Sequence, residues 1–303
     1  MRQSRDAIAL LVTIMFVIVI TVAIGFGLKQ VNRASQTLND ENFMFQSSMF
    51  VEDILKILQT STELQQIAEN NNSIDELYMF LSEAAFIPFD SQGYDVVLQI
   101  SSARAKFNPS TLNSYRADAL RGYMSNYMVN SQYVDILVDS MSKIKEDNSY
   151  NSRIFDENPY LFRDYIASKE QLGIINDFYT TEYNDNALAN IDFDELFYLS
   201  ADKNTTIDLN YATPAVWELI LGVSKERAEL LNYGGGSYTD IASLHLNSDE
   251  EERLLAFMKP VKPSFYEPIL FIELTIRKNK SRAYISFEYN IKLRKGSNFA
   301  YEI

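Results

Sequence analysis

Residues 268–293 read PILFIELTIRKNKSRAYISFEYNIKL. Leu270, Ile272, Leu274 and Ile276 fall on alternate positions, Asn279-Lys280 is turn-forming, and Ala283, Ile285, Phe287, Tyr289, Ile291 and Leu293 resume the alternation. A period of two places each set on one face of a strand, so this stretch is expected to be a β-hairpin with one buried side. A lone hairpin is marginal in water, so the apolar face needs more strands and a covering helix.

Working outward, Tyr94, Val96, Leu98 and Ile100 alternate with Asp95, Val97, Gln99 and Ser101, which predicts a strand for the same sheet. It leads into Lys106-Phe107-Asn108-Pro109, where proline ends regular pairing. The covering helix is sought nearer the N-terminus. Residues 29–58 hold no proline or glycine, and Phe50, Ile54, Ile57 and Leu58 recur at helical spacing. Asn70, Asn71, Asn72 and Ser73 break this rod, and Ser73 with Glu76 suits a capping box for a short helix toward Ala85.

Ahead of the rod, Ala7 to Leu28 is an uncharged apolar run preceded by MRQSRD. Twenty-two residues at the helical rise span roughly 33 Å, enough to cross a bilayer core. The run is longer than a signal-peptide core and no A-x-A-like site follows, so it is expected to be a retained, single membrane span. Arg2 and Arg5 favour a cytoplasmic N-terminus with the body on the far side, although Lys29 and Arg33 follow the span.

Between the strands, residues 112–258 read as mostly helical, with breaks around 146–149 and 180–186. Tyr133 to Ile144 is a predicted helix, Ser168 a predicted cap, and the aromatics Tyr160, Phe162, Tyr165, Phe178 and Tyr179 are read as core. In Ile207-Asp208-Leu209-Asn210-Tyr211-Ala212-Thr213-Pro214, Thr213 suits an N-cap and Pro214 a first helical residue. The helix runs to Leu221, Gly222 supplies a left-handed residue, and a second helix opens at Lys225, which makes Leu221-Gly222-Val223 the turn of a helix-hairpin-helix. After Gly234-Gly235-Gly236 a helix is expected to restart near Ala242. Ser248 with Glu251 forms a capping box for the helix ending before Pro260.

Composition narrows the function. The chain has 303 residues, 47% of them hydrophobic and 13% aromatic, which argues for a cored body. Setting Arg2, Arg5 and Asp6 aside from the 27 basic and 41 acidic side chains leaves 25 and 40, a net of −15. Such a surface repels phosphate backbones and anionic lipid. There is no cysteine, and the single histidine, His245, sits in a polar stretch without a serine motif, so nucleophilic catalysis has no support and His245 is read as a surface residue. The acids from Asp249 to Glu252 suit a helix start. Asp192, Asp194, Glu195 and Asp202 offer oxygen ligands but match no EF-hand spacing; no cofactor is expected, with calcium at Asp192, Asp194 and Asp202 as the alternative.

Three stretches together resemble the K-type minor pseudopilin family of type II secretion. Arg5-Asp6-Ala7-Ile8-Ala9-Leu10-Leu11-Val12 is similar to its leader junction, though Ala7 stands where glycine is usual. Lys106-Phe107-Asn108-Pro109-Ser110-Thr111-Leu112 and Ile207 to Pro214 are similar to its two asparagine-containing motifs, whereas its aspartate-tryptophan-aspartate region is matched only loosely by Val134 to Asp139. The resemblance implies cleavage by a prepilin peptidase between Ala7 and Ile8, N-methylation at Ile8, and Asn108, Asn210, Thr213, Pro214 and Gly222 as family motif and hairpin positions.

It also implies a pilin-like α+β fold: a long N-terminal transmembrane helix packed on a small antiparallel sheet, with a large helical insert. The expected division is a leader (1–7), membrane part (8–28), helical spine and following helix (29–85), first part of the sheet (86–108), insert (109–261, with the SAM-like helix-hairpin-helix unit at 207–245) and C-terminal hairpin (262–303). Val12 stands where major pilins carry a glutamate that offsets a neighbouring amine in an apolar setting. Its absence resembles a subunit at the filament tip.

The implied function is non-enzymatic: initiating and capping a pseudopilus at the bacterial inner membrane. The implied partners are other minor pseudopilins, inner-membrane secretion assembly proteins and the peptidase. Two alternatives are carried, an unprocessed assembly factor and a membrane-anchored DNA receptor for competence. The second is disfavoured because Glu218, Glu226 and Glu229 flank the hairpin against Lys225 and Arg227.

Overall fold

The computed structural model describes residues 41–69, 74–91, 93–147 and 149–302. The expectations for Ala7, Ile8, Val12, the apolar run 7–28 and the cap at Ser73 lie outside them. Among the described residues no helix is long and apolar enough to cross a membrane.

Five antiparallel strands form one sheet in chain order: β1 (Phe86–Ser91), β2 (Tyr94–Ser102), β3 (Ile269–Lys278), β4 (Ser281–Asn290) and β5 (Lys295–Glu302). The β3–β4 hairpin turns at Asn279-Lys280, with Asn279 at φ 55°. Ile272 opposes Phe287 across β3–β4 and Ile100 across β2–β3, and Leu274 opposes Ile285 and Leu98 in the same way. All six side chains therefore share one face. Each is buried, and at about 1.5–3 kcal/mol per large apolar side chain this face is the main drive for pairing β2 with a hairpin distant in the chain.

The cover is helical: α1 (residues 41–60), α2 (Thr62–Glu69) and α3 (Ile74–Glu83). Phe43, Val51, Ile54 and Leu58 from α1, Leu64 and Ile67 from α2, and Leu77 and Leu81 from α3 complete the core. Ile54 and Leu58 of the expected α1 stripe are buried, but the stripe is rotated slightly from the one expected. Phe50 is half-buried and Ile57 is 64% exposed, because the contact face follows Phe43, Ser47, Val51, Ile54 and Leu58. At the other end of the sheet Leu293 leaves the alternating face. The strand stops at Asn290 and Leu293 is exposed in the turn to β5.

The sequence reading places 86–108 in the sheet but names no separate strand at β1, and it names none at β5. Each has a neighbour on one side only, and β5 is exposed along nearly its whole length, so neither carries the alternation of a buried face. Pro88 is tolerated in β1 because an edge strand has an unpaired side.

Residues 103–268 leave the sheet after β2 and return at β3. They build a second core with α4 (Ser114–Asn126), α5 (Gln132–Ser140), α6 (Ile154–Glu157), α7 (Lys169–Tyr183), α8 (Phe193–Leu196), α9 (Pro214–Leu221), α10 (Lys225–Tyr233) and α11 (Ser248–Met258). Trp217, Tyr133, Tyr179, Phe107 and Phe257 lie at its centre.

Several boundaries shift. α5 ends at Ser140, leaving Ile144 exposed, and α7 continues through Thr180 until Asn184 terminates it in the left-handed region. The expected helix near Ala242 is one 3₁₀ turn, Ala242–Leu244. The capping box of α11 lies one residue earlier than expected, between Asn247 and Glu250, because asparagine accepts the orphan amides ahead of Ser248. Phe178 and Tyr179 are core, whereas Tyr160 and Phe162 are exposed.

Candidate functional site

Asn108, Asn210 and Thr213 lie on the segments that meet where the insert leaves and rejoins the sheet, and Gly222 ends α9 away from it. Three chain segments run together at this seam. The Asp208 amide donates to the Arg104 carbonyl at 2.9 Å, that of Leu209 to the Ser264 carbonyl at 3.0 Å, and that of Thr213 to the Ala105 carbonyl at 3.2 Å. Short bridges pair Phe107 with Phe197 and Asp208 with Ser264.

Asn108 occupies the first crossing. Its Oδ1 accepts from the Ser110 amide at 3.0 Å, capping the 3₁₀ turn Pro109–Thr111, and its Nδ2 donates to the Asp202 carbonyl at 2.8 Å and to Thr205 Oγ1 at 3.1 Å. Asn210 occupies the second. Its Nδ2 donates to the carbonyls of Tyr238 (2.8 Å) and Phe265 (2.7 Å), and its Oδ1 accepts from the amides of Gly236 and Tyr238, both at 2.9 Å. An asparagine amide offers two donors and two acceptor positions, and here all four are used. Asn210 has nothing left for a ligand; it clamps the glycine loop 234–236 to the segment before β3.

Thr213 caps α9 by accepting from the Val216 amide, and it donates to the Glu195 carbonyl at 2.8 Å. Pro214 fills the first helical position, where no amide is needed. Gly222 ends α9 at φ 60°, and a Cβ there would lie 2.8 Å from Arg253 Nη1, the group that donates to the Leu221 carbonyl. Gly236 is also constrained: its φ is 84° and a Cβ would stand 2.4 Å from the Tyr78 ring, which α3 lays against it.

Three charged positions, Arg104, Glu288 and Asp208, were not singled out in the sequence. Arg104, two residues past the end of β2, pairs with Glu288 of β4 at 2.9 Å with both side chains buried. Tyr198 and Asn298 also donate to Glu288, at 2.5 and 2.6 Å. Asp208 is fully buried, accepting from the Asn210 amide at 3.0 Å and the Glu267 amide at 2.7 Å. Burial pushes its carboxyl up to about 7, the two amides oppose that rise, and the neighbouring Glu267 charge adds to it. A charged residue two positions from Asn210 in a motif was the one signal available for Asp208.

The other candidates stand apart. Asp192 caps α8, Asp194 pairs with Lys169 at 2.7 Å, and Asp202 Oδ1 accepts from the Asn204 amide. Among the described residues no group of three or more histidine, aspartate or glutamate side chains is placed to hold a metal. His245 is exposed at φ 49°, closing the 3₁₀ turn, and its carbonyl accepts from Arg227. Arg227 is further engaged by both oxygens of Glu250, at 3.1 and 3.0 Å. The hairpin glutamate Glu218 is buried against the Tyr127 hydroxyl at 3.0 Å, and burial raises its carboxyl above the usual range.

No family model and no curated protein matches the chain. Among solved structures, its fold is similar to a chain in the crystal structure of the GspK-GspI-GspJ complex from the enterotoxigenic Escherichia coli type 2 secretion system. The TM-score is 0.52 at 11% identity, covering 88% of this chain and 97% of that one. At that identity the likeness is one of fold.

Proposed function

We propose that this chain is a non-enzymatic minor pseudopilin of the K type, which initiates the pseudopilus and sits at its tip during protein secretion across the outer membrane. One observation carries the reading: a helix-covered sheet interrupted between β2 and β3 by a large helical insert, a fold whose likeness to a chain of a minor pseudopilin complex runs nearly end to end. The apolar run 7–28 then serves as an inner-membrane anchor before assembly, with the body in the periplasm. Val12 in place of a glutamate suits a subunit with no successor above it.

Partner pseudopilins meet the chain along α1, whose outward side carries Phe45 (63% exposed) and Met49 (42% exposed) opposite the buried stripe. The DNA-receptor alternative loses ground, because Arg227 is held by Glu250 while Glu226 and Glu229 stand exposed beside Lys225.

Mass spectrometry of the chain purified from bacterial membranes tests the proposal. The expected product begins at N-methylated Ile8, and an intact Met1 overturns it. Tight duplex DNA binding at physiological salt would favour the receptor reading instead.

A further inference from the structure

Asp208 is the buried titratable group that the proposed function leaves unused. It stands where the segment leading into α9 crosses the segment leading into β3: its hydrogen bond from the Glu267 amide joins the two segments, and the one from the Asn210 amide closes a local turn. Among the described residues no cation pairs with it. The groups facing it are Glu267, whose Oε1 accepts from Thr206 (2.8 Å) and Ser264 (2.7 Å), and Tyr211, whose buried hydroxyl has no hydrogen-bond partner. Behind Tyr211 lie Tyr78 of α3, stacked at 6.1 Å, and Tyr266. Arg104 contributes only its carbonyl to Asp208, its guanidinium being turned to Glu288.

An ionised carboxylate here is a fully buried charge beside a second, partly exposed carboxylate, and two backbone amides compensate it only in part. We infer that Asp208 is a proton-operated fastener: protonated, it leaves the seam closed and the insert firm against the sheet, and on losing the proton it loosens that junction. The inference is independent of the proposed role in secretion.

The sign follows from linkage. The carboxyl sits at about 7 in the fold against roughly 3.9 in an unfolded chain, so the folded state holds the proton more tightly. Stability from this group is complete below about pH 4, falls as pH rises toward 7, and is level above it.

The test is urea unfolding of the full chain in neutral detergent from pH 4 to 8.5, followed by the fluorescence of Trp217, the single and fully buried tryptophan. Relative to Asp208→Asn, the wild-type folding equilibrium is expected to weaken about tenfold per pH unit between pH 5 and 7 and then level off. A difference that stays constant across that range overturns the inference. If Asp208→Asn does not fold, Glu267→Gln replaces it: removing the neighbouring charge is expected to move the wild-type transition to lower pH, and an unmoved transition overturns the inference.

Discussion

Asn210 has four hydrogen bonds to partners 26 to 55 residues away, and each partner is a backbone group. Truncation to alanine leaves two amides and two carbonyls without it. At about 1–3 kcal/mol for each buried group left unpaired, partly offset by water, Asn210→Ala is expected to cost about 3 kcal/mol or more in chemical unfolding. Gly222 makes a different demand. Gly222→Ala places a side chain at φ 60° and displaces the Arg253 guanidinium from the Leu221 carbonyl, a cost of about 1–2 kcal/mol by the same measurement. Both positions were visible in the sequence, Gly222 with its physical reason and Asn210 without one. A left-handed stop between two helices is a local pattern, whereas the Asn210 clamp exists only once distant segments arrive.

The two faces of α1 separate stability from assembly. Ile54→Ala opens a cavity under the sheet and is expected to cost about 2–5 kcal/mol, while Ile57→Ala, one turn on but exposed, stays within about 0.5 kcal/mol. Phe45→Ser with Met49→Ser is expected to leave unfolding unchanged and to abolish cross-linking to partner pseudopilins in membranes; retained cross-linking would move the partner surface elsewhere. Ile54 and Leu58 of the expected stripe are buried and Phe50 packs at its margin, but Ile57 was included and Val51 was not, because Ile57 obeys the helical period as well as Val51 does. Periodicity defines an apolar stripe to within about one residue of rotation, and only the sheet beneath decides which side is covered. The edge strands escaped for a related reason: β1 and β5 each lack the second neighbour that would have required a continuous apolar row.

At the scale of the whole molecule, two cores are joined across one polar seam. The Arg104–Glu288 pair ties the start of the insert, just past β2, to β4 beside Tyr198, and breaking one side strands the other. Arg104→Met is expected to destabilise the chain by about 3–5 kcal/mol. Adding Glu288→Gln, which removes the stranded charge while still accepting from Tyr198 and Asn298, is expected to recover part of that loss in thermal unfolding. A double variant no more stable than the single one would mean that the pair contributes packing rather than charge compensation.

The sequence by itself determined the terminal hairpin, the strand at Tyr94, the caps at Ser168 and Thr213, and the turn at Gly222. Each is set by neighbours within a few residues, through side-chain period or the allowed backbone angles. The tertiary structure alone decided which hairpin strand β2 pairs with and in what register, which side of α1 is buried, that Asn210 is a clamp, and that Arg104, Glu288 and Asp208 lie out of water. The energy of a polar group depends on what covers it, and here the cover comes from segments up to 184 residues away.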